Sequence, residues 1–152
     1  MGLFGKINPW GLPLNCVIGD QQSALIGQGG IAAGSLAFNF GTSASVLLHS
    51  GNTPNHNEGL LNNVLFSNGS EIHYLTEGSI NTCNSLFYWL ENELKIPHNK
   101  MQWDKRCAKT RVDGVLIPGF SGLAAPYWKS GFNSVYYNLE NANADEIIRA
   151  GM

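Results

Sequence analysis

The apolar residues of this 152-residue chain change period at Ser79. From Ser35, Leu36, Phe38 and Phe40 alternate with Ala37 and Asn39, and Gly41-Thr42-Ser43 turns the chain into Ser45-Val46-Leu47-Leu48, which predicts a β-hairpin. A polar loop over Ser50 to Gly59 leads to a second pair of strands, Leu60 to Phe66 and Glu71 to Leu75. They are joined by Asn68-Gly69, residues that tolerate the positive φ of a tight hairpin turn. After Ser79, Ile80, Cys83, Leu86, Phe87, Leu90 and Leu94 fall on one helical stripe, ended by Pro97. Strands first, then strands and helices mixed, predict an α/β or α+β domain.

Local signals fill in the rest. Residues 1–15 hold Gly2, Gly5, Gly11, Pro9 and Pro13 and read as loop, followed by a short buried strand over Cys16 to Ile18. Gly19 closes that strand. Asp20 then occupies an N-cap position, and Gln21 to Gln28 read as a short helix ending among Gly27, Gly29 and Gly30. Met101 to Lys109 suggest a helix, Val115 to Pro118 and Ser134 to Leu139 two strands, and Ala144 to Met152 a helix capped by Asn143 or Asp145. That last helix has only about two turns, so the domain's ending is expected to lie beyond this chain.

Composition excludes several classes of function. Lys+Arg 9 against Asp+Glu 11 leaves a net charge of -2, and no basic stripe interleaves with aromatics, so nucleic acid is not an expected partner. No stretch reaches the roughly 18 consecutive apolar residues of a membrane span, and the first residues lack the apolar core of a signal peptide. A soluble, cytoplasmic protein without membrane contact is expected. Cys16, Cys83 and Cys107 are odd in number and far apart, which fits a reducing compartment and neither a disulfide framework nor a zinc site. His49, His56, His73 and His98 show no ligand spacing and are read as surface or turn residues. Charged residues are only 13%, which suggests that part of the surface faces more protein.

Three stretches could carry chemistry. Asp20 lies between a strand and a helix, where α/β folds place ligands and helix amides favour an anion; it equally fits a plain cap. Gly41 and Thr42, with Ser43 and Ser45, offer amide and hydroxyl donors suited to phosphate oxygens, and equally make a tight turn. "PGFSGLAAPYW", Pro118 to Trp128, reads as a packed loop fixing how two elements meet. No GxGxxG follows a strand, and neither GxxxxGK[ST] nor GxSxG occurs.

Taken in order, "GDQQSALIGQGG", "FNFGTSASVLLHSG", "GLLNNVLF", "IHYLTEGSINTCNSLFYWL", "GVLIPGFSGLAAPYW" and "DEIIRAG" resemble the middle of the FGGY carbohydrate kinases, most of all their glycerol-phosphorylating branch. The resemblance runs from about Phe4 to Met152. It implies an incomplete actin-like (ribonuclease H-like) α/β domain, a mixed sheet with flanking helices. Residues 1–30 would be the C-terminal end of the family's N-terminal, substrate domain, and residues 31–152 the first part of its C-terminal, nucleotide-binding domain. It further implies ATP-dependent transfer of the γ-phosphate to a hydroxyl of a polyol or sugar, with ATP and Mg2+ as cofactors and no metal ligand assigned to this chain.

By the same resemblance Asp20 is the catalytic base and a substrate contact, and Gln21 contacts a substrate hydroxyl. Gly41 and Thr42 form a phosphate loop. Asn84 and Tyr88 stand where the family places a glycine and a glutamine close to the nucleotide. Because the family's first phosphate loop and adenosine loop have no counterpart here, the isolated chain is expected to be inactive. Its partners would be the missing kinase segments or another copy of itself. The alternative is a truncated, non-catalytic kinase module that binds a partner chain.

Overall fold

The computed structural model describes residues 3–152, which form two compact units. The first runs through Asn39 and resumes at Ser45–Ser79; the second comprises Phe40–Ala44 and Ile80–Met152.

The first unit opens with a ribbon where a loop was expected. Strands β1 (Gly5–Ile7) and β2 (Leu12–Leu14) pair antiparallel around the Asn8–Gly11 turn, with Lys6 opposite Pro13. A proline fits there because a two-stranded ribbon has free edges, where a missing N–H breaks no ladder. Cys16 to Ile18, expected as a buried strand, are instead exposed and outside any strand, Val17 at 67%. An apolar triplet specifies burial only when another strand takes up its backbone groups, and none among the described residues does.

Helix α1 (Asp20–Gly27) follows. Asp20 is its first helical residue rather than its cap; Gly19 holds the N-cap position, with no side-chain cap bond. Leu25 is its buried anchor. Gly30 passes so close to the Leu25 side chain and carbonyl that a Cβ would collide with them, which fixes glycine at this position.

Strands β3 (Leu36–Phe40), β4 (Ala44–Gly51), β5 (Leu61–Ser67) and β6 (Ile72–Ile80) make a sheet in the order β3-β4-β6-β5. Both predicted hairpins are present. Leu25, Ala37, Leu47, Leu65 and Leu75 form the core of this unit. Because side chains alternate across a strand, burying Ala37 turns Leu36 and Phe38 to the other face, where they are 57% and 51% exposed.

In the second unit, α2 (Ser85–Leu94) begins later than the apolar stripe predicts. Ile80 ends β6, and Cys83 lies in the loop between. The amides of Cys83, Asn84 and Ser85 bond to the Thr42, Gly41 and Thr42 carbonyls at 3.1, 3.0 and 3.2 Å, so these N–H groups face partners outside the helix. Lys95 ends α2 in the left-handed region at φ 53.

The helix expected over 101–109 is two short ones, α3 (His98–Met101) and α4 (Trp103–Ala108), broken at Gln102 with φ 44. Strands β7 (Val115–Ile117) and β8 (Val135–Tyr137) pair antiparallel. Helix α5 (Ala144–Gly151) is capped by Asn143, whose side chain accepts from Asp145 and Glu146 while the Glu146 carboxylate accepts from the Asn143 amide. That capping box selects Asn143 over Asp145. Leu86, Leu90, Met101, Cys107, Leu116, Leu139 and Ile148 form the core, and an Arg106–Asp145 ion pair ties α4 to α5. Among the described residues no helix is long and apolar enough to cross a membrane.

The cysteines give a direct check on this packing. Burial pushes the Cys107 thiol above its usual range, with Arg149 pulling it down and Asp145 pushing it up, whereas Cys16 is exposed. Since the thiolate is the reactive form, iodoacetamide at about pH 8 should modify Cys16 at least about 100-fold faster than Cys107 in the native protein. Mass spectrometry of tryptic peptides measures the ratio; equal rates would contradict the second core.

Candidate functional site

The sequence-predicted residues fall into two groups. Asp20 and Gln21 belong to the first unit, and Gly41, Thr42 and Asn84 to the second.

Asp20 is exposed at the start of α1, and its Oδ1 accepts the Gln21 amide at 2.8 Å. Placing a carboxylate in the first turn satisfies an otherwise unpaired helix N–H and matches the dipole. One carboxylate oxygen is thereby held, and the other is available to a proton donor.

Gln21 is fixed more tightly. Its Oε1 accepts from Asn39 Nδ2 and from Ser45 Oγ, both at 3.0 Å. Asn39 Oδ1 in turn accepts from Gln28 Nε2 at 2.7 Å. Asn39 lies on β3, Ser45 on β4, and Gln21 and Gln28 at and just beyond the two ends of α1, so the network ties both ends of the helix to the sheet. With its oxygen doubly occupied, the Gln21 amide presents its N–H groups, which can donate to a hydroxyl oxygen.

Asn39 escaped the sequence reading because an inward polar residue in an apolar alternation carries no motif. Ser45 was grouped with the phosphate-facing hydroxyls of the bend; it is 5% exposed and serves Gln21 instead.

In the second unit the bend is closed by the Gly41 amide donating to the Ser43 carbonyl at 2.8 Å. The Gly41 and Thr42 carbonyls are taken up by the amides at 83–85, which seats the bend against the segment leading into α2. Gly41, Thr42 and Asn84 are exposed and close together in this way. The carbonyls and the Gly41 amide are thus occupied, while the Thr42 hydroxyl has no hydrogen bond among the described residues and is left as a donor. In the adjoining segment the Thr82 and Ser85 hydroxyls are buried without a hydrogen-bond partner. A donor set without carboxylates fits phosphate oxygens.

Of the histidines, His56 and His98 are exposed as expected, but His49 is fully buried and His73 largely so. The sequence reading failed because each ring finds its partner across strands, at a separation no local spacing reveals. The Pro118–Trp128 stretch is a packed loop: Trp89 stacks on Phe120 with centroids 5.1 Å apart, and the Asn81 side chain donates to the Ser121 carbonyl at 2.9 Å.

Comparison with known proteins identifies the family. The C-terminal domain of the FGGY family of carbohydrate kinases matches residues 36–152. A glycerol kinase of Aeromonas hydrophila is 36% identical over 145 residues, 93% of this chain and 29% of that protein. One from Mycoplasma capricolum is 32% identical over 153 residues, 98% of this chain and 30% of that protein. The crystal structure of Plasmodium falciparum glycerol kinase with ADP is similar with a TM-score of 0.81 at 28% identity, covering 97% of this chain and 31% of that one. Xylulose kinase from Rhodospirillum rubrum shares the fold, with a TM-score of 0.77 at 18% identity over 97% of this chain and 32% of that one.

The mixed α/β architecture is therefore that of the actin-like sugar kinases, present in part, and the chain spans about three-tenths of the length of these relatives. With more than half of its residues matched by the family's C-terminal domain, this chain belongs to the FGGY family of carbohydrate kinases.

Proposed function

We propose that this chain supplies part of the active site of an ATP-dependent carbohydrate kinase acting on glycerol or a similar polyol or sugar. The observation that carries the reading is the pairing of an exposed carboxylate, Asp20, with an adjacent amide, Gln21, whose oxygen is locked by Asn39 and Ser45. A base and a directed hydroxyl contact side by side are what phosphorylation of an alcohol requires.

In this reading residues 1–30 complete the substrate domain and residues 31–152 begin the nucleotide domain. Gln21 donates to a substrate hydroxyl and orients it. Asp20 takes the proton of the attacking hydroxyl as its oxygen bonds to the γ-phosphorus and the bond to the ADP oxygen breaks. The transition state is loose, so the proton leaves late and a carboxylate of ordinary strength suffices. The Thr42 hydroxyl donates to the terminal phosphates, where charge spreads during transfer, and Gly41, without a side chain, lets them approach the bend. Mg2+ accompanying the nucleotide would supply the positive charge that this bend lacks. Asn84, whose backbone N–H donates to the Gly41 carbonyl, borders the same nucleotide.

A second reading, a non-catalytic module that docks on a partner chain, draws on the apolar side chains left outside both cores, among them Val17 at 67% and Tyr137 at 69% exposure. In that reading the partner would be another copy or the kinase segments that complete the fold.

Kinetics separate the two. The matched segment of the Aeromonas hydrophila glycerol kinase can be exchanged for this chain and Gln21→Ala introduced. The kinase reading predicts that KM for glycerol rises about tenfold, the equivalent of one lost hydrogen bond to a hydroxyl. The module reading predicts no turnover before or after the substitution.

A further inference from the structure

We infer that Asn39 and the buried Ser45 hydroxyl set the direction of the Gln21 amide, and thereby the class of substrate group this place takes: an oxygen that accepts a hydrogen bond, and not an ammonium. The inference rests on the kinase reading for its substrate and on contacts within the first unit for its geometry.

Gln28, Asn39 and Gln21 form a row of side-chain amides. Gln28 Nε2 donates to Asn39 Oδ1 at 2.7 Å, and Asn39 Nδ2 donates to Gln21 Oε1 at 3.0 Å. Each amide carries an acceptor oxygen at one corner and an NH2 donor at the other, so such a row reads equally well in both directions. Reversing every amide keeps every contact between them. The direction must therefore come from a group that is not an amide.

Ser45 is that group. It is 5% exposed, and its Oγ donates to the same Gln21 Oε1 at 3.0 Å. A hydroxyl has a single proton. With Gln21 reversed, that proton would meet an N–H group, and a buried donor stripped of its acceptor is costly. The Ser45 hydroxyl thus holds the Gln21 oxygen against the sheet, and Asn39 fills the second lone pair. Gln21 Nε2 is left at the outward corner.

A group that meets Gln21 Nε2 must accept. A hydroxyl or a carbonyl oxygen has lone pairs to offer, whereas an ammonium carries only donors and would set N–H against N–H. A site that hydrogen-bonds one polarity rejects a group of the other, because the contact is then left unmade on both sides. Position 39 is specificity-determining on this account, and Asn39 is a positioning residue that acts through Gln21.

The first test needs no substrate. In the 15N-labelled 152-residue chain at about pH 7, the Asn39 side-chain proton bonded to Gln21 should exchange roughly tenfold more slowly than the Gln21 Nε2 protons, as for one hydrogen bond. Asn39→Asp offers acceptors alone, to Gln28 and to Gln21 alike, so the Gln21 amide should turn and its Nε2 protons should become the slow ones. Protected Gln21 Nε2 protons in the unaltered chain, or Gln21 exchange unmoved by Asn39→Asp, would overturn the inference.

The second test reads selectivity in the Aeromonas hydrophila glycerol kinase carrying this chain in place of its matched segment. Its kcat/KM is compared for glycerol, 2-amino-1,3-propanediol and 3-amino-1,2-propanediol, which put an ammonium at the middle and at an end carbon. Glycerol should be preferred over at least one of the amines by about 100-fold. Asn39→Ala combined with Ser45→Ala adds no charge and frees Gln21 to present its oxygen, so that preference should shrink about tenfold. Amines used as well as glycerol by the parent, or a preference that the double substitution leaves intact, would overturn the inference. A chimera that phosphorylates none of the three contradicts the kinase reading instead, and the exchange measurements still decide the direction of the amide.

Discussion

Asp20→Asn, made in the Aeromonas hydrophila glycerol kinase carrying this chain in place of its matched segment, should lower kcat by roughly 10²- to 10⁴-fold, the range for a general base in proton transfer. Glycerol and nucleotide binding should change only a few-fold. The amide is isosteric and its oxygen can still accept the Gln21 N–H that Asp20 Oδ1 accepts at 2.8 Å, so α1 keeps its start. What is lost is the acceptor for the attacking hydroxyl's proton. Circular dichroism and the stoichiometry of nucleotide binding separate this from a folding defect, which would lower the active fraction along with the apparent kcat. A kcat within threefold of the parent would remove Asp20 from the chemistry.

The second large effect concerns stability. Leu75→Ala in the first unit and Leu90→Ala in the second each truncate a side chain with no exposure inside its own core. Each should cost about 2–5 kcal/mol, the transfer term plus the cavity left behind. Against a typical total of about 5–15 kcal/mol, either change brings the chain close to unfolding at room temperature. Tyr88→Ala, at a side chain 65% exposed, should stay within about 0.5 kcal/mol. Urea titration followed by circular dichroism gives all three values. A leucine variant no less stable than Tyr88→Ala would mean that its core is not packed as described.

The sequence made the local elements readable where one period governs one face. Asn68-Gly69 and Gly41-Thr42-Ser43 announced their hairpins because turn chemistry is local. Asn143 and Asp145 announced the start of α5 because capping chemistry is local, and the structure chose Asn143 between them. Elements that depend on a distant partner were hidden. Cys16 to Ile18 look like a strand by composition, yet a strand exists only through the neighbour that completes its ladder. Ile80 and Cys83 fit the helical stripe, but the carbonyls of Gly41 and Thr42 hold the following amides outside the helix. The same division runs through the candidate site. Asp20, Gln21 and Thr42 were nominated by motif, whereas Asn39 and Ser45 came to light only once β3 and β4 stood beside α1. His49 was misjudged for that reason too, since its burial is decided by residues on other strands.

The most direct measurement is transfer of labelled phosphate from γ-32P-ATP with Mg2+ to glycerol by the kinase carrying this chain's Phe4–Met152 in place of its own matched segment. The account predicts glycerol phosphate at a rate that Asp20→Asn lowers by roughly 10²- to 10⁴-fold and that depends on the acceptor alcohol. A well-folded protein that binds both substrates and transfers no phosphate to glycerol or to any other polyol or sugar would contradict it.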